Sequence, residues 1–334
     1  MFGAAGILST LFLLTSCINE DLSDCGVDYK VEYNLKLVTN VSDEIANELT
    51  TPEEKELGAE LAKRIEPVFQ NYVKDIDLSF YNDGESLAHH ESTEMDGSTA
   101  TYTVYLPLQN YKHLAIANEK TEEQVSHHQT ENLSGSHLSV ASQDTIASQQ
   151  IGLYSGRLPM QIEQKDQIFH VALYMVNAVE ALVLNTNNQP VKSVETYVKD
   201  LATSFYVNDS TYTFERSQTL VPESFQTPGG KLLCYYGVGF PSRDVPGKSD
   251  KTIRAADADA AHDALWQMEV YVTLNDGKTT KSTLYVKAPL KAGQLKIIKA
   301  KIDDKGAVVA DNQEVGVSVQ LEWKPGGEYE GGFD

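Results

Sequence analysis

Leu14-Thr15-Ser16-Cys17 is the short run whose residue types and spacing dictate a reaction. A leucine three residues ahead of a cysteine, with two small residues between them, is the recognition element of a lipoprotein signal peptidase. The small side chains let the backbone enter a peptidase cleft, and the Cys17 thiol carries diacylglycerol in a thioether. Cleavage between Ser16 and Cys17 makes Cys17 the first residue and frees its amine for an N-acyl chain such as palmitate. Burying acyl chains gains ~0.8 kcal/mol per methylene, and stable anchoring takes more than one chain. The residues ahead of the element support this reading. Met1–Ser16 has no charge and carries Ile7, Leu8, Leu11, Phe12, Leu13 and Leu14, an apolar run too short to span a bilayer. A basic segment usually precedes such a run, so the true start is expected a few residues upstream.

Other candidate chemistry is sparse. His89-His90 and His127-His128, with His137 nearby, lack the helical i, i+4 spacing of a hydrolytic zinc site and read as solvated loop residues. Asp257, Asp259, His262 and Asp263 lack the glycine turn and closing glutamate of a calcium loop, so an acidic loop or helix start is expected. Ser155, between Gly152 and Gly156, is one residue out of register for a nucleophile elbow. Asp144-Thr145-Ile146 and Asp209-Ser210-Thr211 resemble an O-glycosylation acceptor pattern. Cys25 and Cys234 remain after Cys17, either as a pair closing a long loop or as two free thiols. No enzyme, metal or cofactor is expected beyond the covalent lipid on Cys17, and no small-molecule substrate.

The 27 basic and 48 acidic residues give a net charge of −21, which excludes a nucleic-acid partner and a polybasic membrane patch. Apolar residues make up 41% and include all 17 tyrosines, a composition that suits strands around a packed core. Tyr29, Val31, Tyr33, Leu35 and Leu37 alternate with polar residues, predicting a half-buried strand about a dozen residues behind Cys17. At ~3.3–3.6 Å per residue the first domain then lies within ~45 Å of the bilayer. Thr51-Pro52-Glu53-Glu54 starts an amphipathic helix that runs to about Tyr72. Strands follow, and the polar stretch Glu119–Gln150 is expected as a surface excursion. Strand after strand from Phe169 onward ends in Val315, Val317, Val319, Leu321 and Trp323, again alternating with polar residues. The predicted class is mainly β: two β-sandwich domains in tandem, one amphipathic helix in the first. The expected divisions are 1–16 signal peptide, 17–163 first domain and 164–334 second domain.

Leu-Thr-Ser-Cys17, then Asp21-Leu22-Ser23-Asp24-Cys25 and the strand from Tyr29 to Val38, resemble the FimB-type anchor lipoproteins of fimbriae. Leu153-Tyr154-Ser155-Gly156, His170-Val171-Ala172-Leu173-Tyr174 and the closing Val-x-Val-x-Leu-x-Trp323 look similar too. The resemblance implies transthyretin-like, Ig-like sandwiches, an outer-membrane lipid anchor at the cell surface, and a place at the base of a fimbrium (pilus) with the shaft subunit as partner. It also implies joining by strand addition. No arginine lies between Cys17 and Arg64 for a shaft-processing protease to cut, so the first strand is expected to stay in place. Any exchanged strand is then Val315–Trp323, unless that strand completes its own sandwich. The alternative is a glycan- or host-binding adhesin lipoprotein of the fimbrial tip type, marked by a shelf of exposed tyrosines. A lipoprotein hydrolase would need an acid/base cluster in a cleft.

Overall fold

The computed structural model describes residues 26–36, 41–70, 73–97, 99–164, 166–245, 263–311 and 315–322. The chain starts with β1 (Gly26–Lys36), then α1 (Val41–Glu48), α2 (Pro52–Phe69), β2 (Val73–Tyr81), β3 (Leu87–Gly97), β4 (Thr99–Pro107) and β5 (Asn110–Ala117). Next come β6 (Val125–His128), β7 (His137–Val140), β8 (Thr145–Ala147), β9 (Tyr154–Gln161) and β10 (Ile168–Met175). The second half holds β11 (Ala178–Asn185), β12 (Val191–Lys199), β13 (Ser204–Tyr206), β14 (Thr211–Thr213), β15 (Thr219–Val221), β16 (Glu223–Gln226) and β17 (Leu232–Gly239). It ends with β18 (Trp266–Leu274), β19 (Thr279–Val286), β20 (Leu295–Ile302), β21 (Val308–Ala310) and β22 (Val315–Glu322). The protein is mainly β, as its alternation predicts, and consists of tandem β-sandwich units.

A seven-stranded sheet, β3-β2-β5-β9-β10-β1-β4, forms the first unit. Its inner face contributes Tyr29, Val31, Tyr33, Leu78 and Ala115 to a core shared with the helices. Helix α2 begins where its chemistry demands. The Glu54 amide donates to Thr51 Oγ1 at 3.3 Å and Glu54 Oε2 accepts from the Thr51 amide at 2.9 Å, a capping box with Pro52 at the first turn. Leu57, Leu61, Ile65 and Val68 form its buried stripe. The sequence reading missed α1, which packs at Gly58. A Cβ there would sit 2.7 Å from Ile45 Cγ2, so glycine is what lets the two helices touch.

The same core takes Val179, Ala181 and Val183 from β11, whose alternate residues Leu182 and Leu184 enter a second core with Trp266, Met268, Val270 and Val272 of β18. Thus the five-stranded sheet β16-β17-β11-β20-β21 is a shared layer, covered on one side by the helices and on the other by the sheet β22-β19-β18-β12-β15-β8. Burial on both faces explains why β11 reads as an apolar run interrupted only by Glu180 before its closing Asn185.

Two expectations need correction. The division at 163/164 assigns Ile168–Met175 to the second domain, but β10 runs parallel to β1 and belongs to the first sheet. The crossover follows at Val176–Asn177, where buried Asn177 donates to Gln149 Oε1 and the Ile151 carbonyl and accepts from the Leu153 amide. Nor is Glu119–Gln150 a surface excursion. It supplies β6 and β7 to the sheet β14-β13-β7-β6 and β8 to the six-stranded sheet, burying Val125, Leu133, Leu138, Val140 and Ile146. These few apolar side chains outweigh the polar majority around them because each is buried in a packed layer.

Candidate functional site

The sequence singles out Ser16–Cys17 and Val315–Trp323, and the described element that follows the first of these is the amino-terminal strand, β1. Gly26–Asn34 of β1 pairs antiparallel with Thr99–Pro107, and Lys30–Lys36 pairs parallel with Ile168–Tyr174. A neighbour on each side makes β1 an interior strand. Its inward residues are locked by polar as well as apolar contacts. The Tyr33 hydroxyl lies 2.8 Å from His113 Nε2, and His113 Nδ1 lies 3.1 Å from the Ser79 carbonyl. That carbonyl can only accept, so the proton is assigned to Nδ1 and Nε2 accepts from Tyr33. Phe80 stacks on the imidazole at 4.2 Å. Burial pushes the His113 pKa down to about 4, against the pull of the Ser79 bond, and pushes the Tyr33 phenol well up. On the outer face, His170 Nδ1 lies 3.0 Å from Glu32 Oε2.

Ser16, Cys17, Cys25 and Trp323 lie outside the described residues. Val315, Val317, Val319 and Leu321 fall in β22, the edge strand of the six-stranded sheet, paired with β19 from Val286↔Val315 to Thr279↔Glu322. Val315 is buried, Val317 half-buried and Val319 exposed, so burial fades along the strand. The first and last described strands are thus built differently.

The histidines are not loop residues. His89 and His90 lie in β3, His127 and His128 in β6, and His137 in β7. His90 Nε2 is 2.7 Å from Asp77 Oδ2, and His127 Nδ1 is 3.7 Å from the other oxygen, so one buried carboxylate sits between imidazoles of two sheets. Burial pulls the His127 pKa down while Asp77 opposes it. His128, His137 and Tyr206 stack in series at 4.7 and 4.9 Å. Ser155 is a buried residue of β9. Asp257, Asp259 and His262 lie outside the described residues, while Asp263 is exposed, 3.7 Å from Lys287 Nζ. Thr145, Ser210 and Thr211 are exposed.

One buried group, Glu180, has no counterpart in the sequence expectations, and a second, Cys234, takes one of the two forms expected for it. Glu180 of β11 is fully buried, neither carboxylate oxygen has a hydrogen-bond partner among the described residues, and burial lifts its pKa to about 8. Gly237 faces it across β17; a Cβ there would lie 2.1 Å from Oε1. A lone glutamate in an apolar run was its signal. Cys234 is a free, fully buried thiol whose pKa burial pushes up, the opposite of an activated nucleophile.

No family model matches the sequence, and no curated protein matches it. Solved structures do. The fimbrial anchor protein Mfa2 from Porphyromonas gingivalis is 9% identical, with 88% of this chain and 98% of that one covered at a TM-score of 0.47. A candidate polysaccharide-binding protein from Bacteroides thetaiotaomicron is 9% identical over 86% and 97% of the two chains, with a TM-score of 0.52. A candidate adhesin from Bacteroides ovatus is 11% identical over 93% and 98%, also at 0.52. The last two share this fold across nearly their whole length; at such identity the likeness extends to the fold alone.

Proposed function

We propose that this protein is a non-enzymatic outer-membrane lipoprotein that anchors a fimbrium to the cell surface. Cys17 carries the lipid and the tandem sandwiches hold the shaft. The observation that carries this reading is the lipidation element Leu14–Cys17 placed just ahead of a strand with a neighbour on each side. Removing β1 would open a slot between β4 and β10 and part the body from its own membrane. An anchor therefore keeps this strand. A fold in common with a candidate adhesin supports the surface role. The shaft is held by strand addition at the carboxyl end, where the described part of Val315–Trp323 is an edge strand paired on one side to its own sheet.

The test is Cys17→Ala in the native host. Fimbriae shed into the medium, with the protein recovered unacylated, are the expected result; fibres that remain cell-bound at wild-type length overturn the anchor role. A second reading, a glycan- or host-binding adhesin, is favoured by Tyr105 and Tyr174, 63% and 53% exposed on the outer face of β4 and β10. Under that reading Tyr105→Ala and Tyr174→Ala weaken adhesion while fibre attachment is unchanged.

A further inference from the structure

Open sheet edges are templates for pairing, and of the eight edge strands among the described residues all but β4 and β22 are guarded. Strands β6, β8, β14, β16 and β21 are only three or four residues long. β3 is long but carries Glu91, Glu94 and Asp96 and is broken by register shifts against β2. β4 has none of these protections. Its nine residues run Thr-Ala-Thr-Tyr-Thr-Val-Tyr-Leu-Pro with no charge. In a chain with 22% charged residues, about two would be expected there.

The direction of its free groups follows from the ladders. The Lys30 amide donates to the Gln167 carbonyl on the β10 side, so the even residues of β1 bond β10 and the odd ones bond β4. The β4 partners of the odd residues are Ala100, Tyr102, Val104 and Leu106. Thr101, Thr103 and Tyr105 therefore turn their N–H and C=O groups away from the sheet, and no described residue bonds them. Their side chains are exposed on the outer face.

We infer that β4 is a self-association edge, on which a second copy of this chain pairs antiparallel about a two-fold axis at Thr103. The pattern is symmetric about that residue. Thr103 faces its own copy, and Thr101 faces Tyr105 of the second copy. Each copy offers three N–H donors and three carbonyl acceptors in register. On the inner face Tyr102 meets Val104. Thr–Thr and aromatic–β-branched pairs are favourable cross-strand combinations, whereas a like charge facing itself across a two-fold is not. β4 itself carries no charge, so none of its own side chains sets a like charge against itself across the two-fold, and the carboxylate at this edge is that of Glu91 in β3, bonded by the Tyr102 hydroxyl on the inner face. Such an interface is isologous and closes at the dimer. The inference is independent of the anchor reading, because it uses neither the lipid nor a fibre.

The test uses the full chain in mild detergent, followed by analytical ultracentrifugation over a range of concentrations. Reversible dimers are expected. Thr103→Lys should raise the dissociation concentration by about tenfold or more without moving the unfolding midpoint, because its side chain is solvent-exposed in the monomer. Thr103→Cys should form a disulfide-linked dimer, since directly paired residues have Cα atoms ~5.5 Å apart, within disulfide range. The unsubstituted chain, which keeps its own cysteines, is the control. A wild-type chain that stays monomeric overturns the proposal, as does a dimer unaffected by Thr103→Lys. Capture of another protein's strand by a monomeric chain would reassign the edge to a different partner. Failure of the Cys17→Ala test would leave these outcomes unchanged.

Discussion

The first and last strands look alike as sequence and behave differently as structure. β1 and β22 each alternate apolar with polar residues, yet Tyr29, Val31 and Tyr33 are sealed between two neighbours and a helical layer, while β22 has one neighbour and exposes Val319. Alternation reports which face of a strand is buried. It says nothing about how many strands flank it, because hydrogen bonds to neighbours run in the plane of the sheet and are made by backbone common to every residue.

Removing one side chain from each strand should separate the two most strongly. Tyr33→Ala removes a fully buried ring and the partner of His113, so a loss of about 3–5 kcal/mol is expected in denaturant unfolding. Val319→Ala should stay within about 0.5 kcal/mol. Equal losses would mean that β22 is as deeply held as β1.

Acid should separate the two sheets next. His113 sits under β1 with its pKa lowered to about 4, so below its ordinary 6.5 the unfolded chain binds a proton that the folded chain refuses. Its contribution is complete above pH 6.5 and is lost as pH falls toward 4. His113→Gln should flatten that limb in pH-dependent unfolding. Glu180, in the core that holds the sheet of β22, has the opposite sign. With its pKa raised to about 8, the folded state holds a proton the unfolded chain has released, so stability declines as pH rises from 4.5 to 8. Glu180→Gln should remove that decline, and a decline that persists in the variant would place its cause elsewhere.

A smaller effect tests the junction of the units. Glu54 caps α2 and accepts from Lys299 Nζ of β20 at 2.6 Å. Burial opposes its charge, but the Lys299 bond and the Thr51 amide outweigh it and hold its pKa below the usual carboxylate value. Its contribution is present above the ordinary carboxylate pKa and lost as pH falls through the lowered one. Thr51→Ala should cost about 1 kcal/mol by calorimetry, while Lys299→Met should weaken the acid limb specifically.

Much of this was legible before folding. Thr51-Pro52 and Glu54 announced α2 because a capping box is local chemistry, and the alternating strands announced themselves through side chains two residues apart. The missed features are non-local. Helix α1 depends on Gly58 leaving room, β10 on a parallel partner more than a hundred residues away, and β6–β8 on strands of the second unit. The histidines read as solvated because nothing near them in sequence reveals Asp77.

By itself the sequence determined the acidic character, the strand-built class and the one capped helix, since these rest on composition or on residues close together in the chain. Only the tertiary structure decided that β1 is interior, that β4 ends its sheet with Thr101, Thr103 and Tyr105 turned outward, and that Glu180 has no hydrogen-bond partner among the described residues. Those properties belong to neighbours brought together by packing, and side-chain pattern carries no record of which backbones will lie side by side.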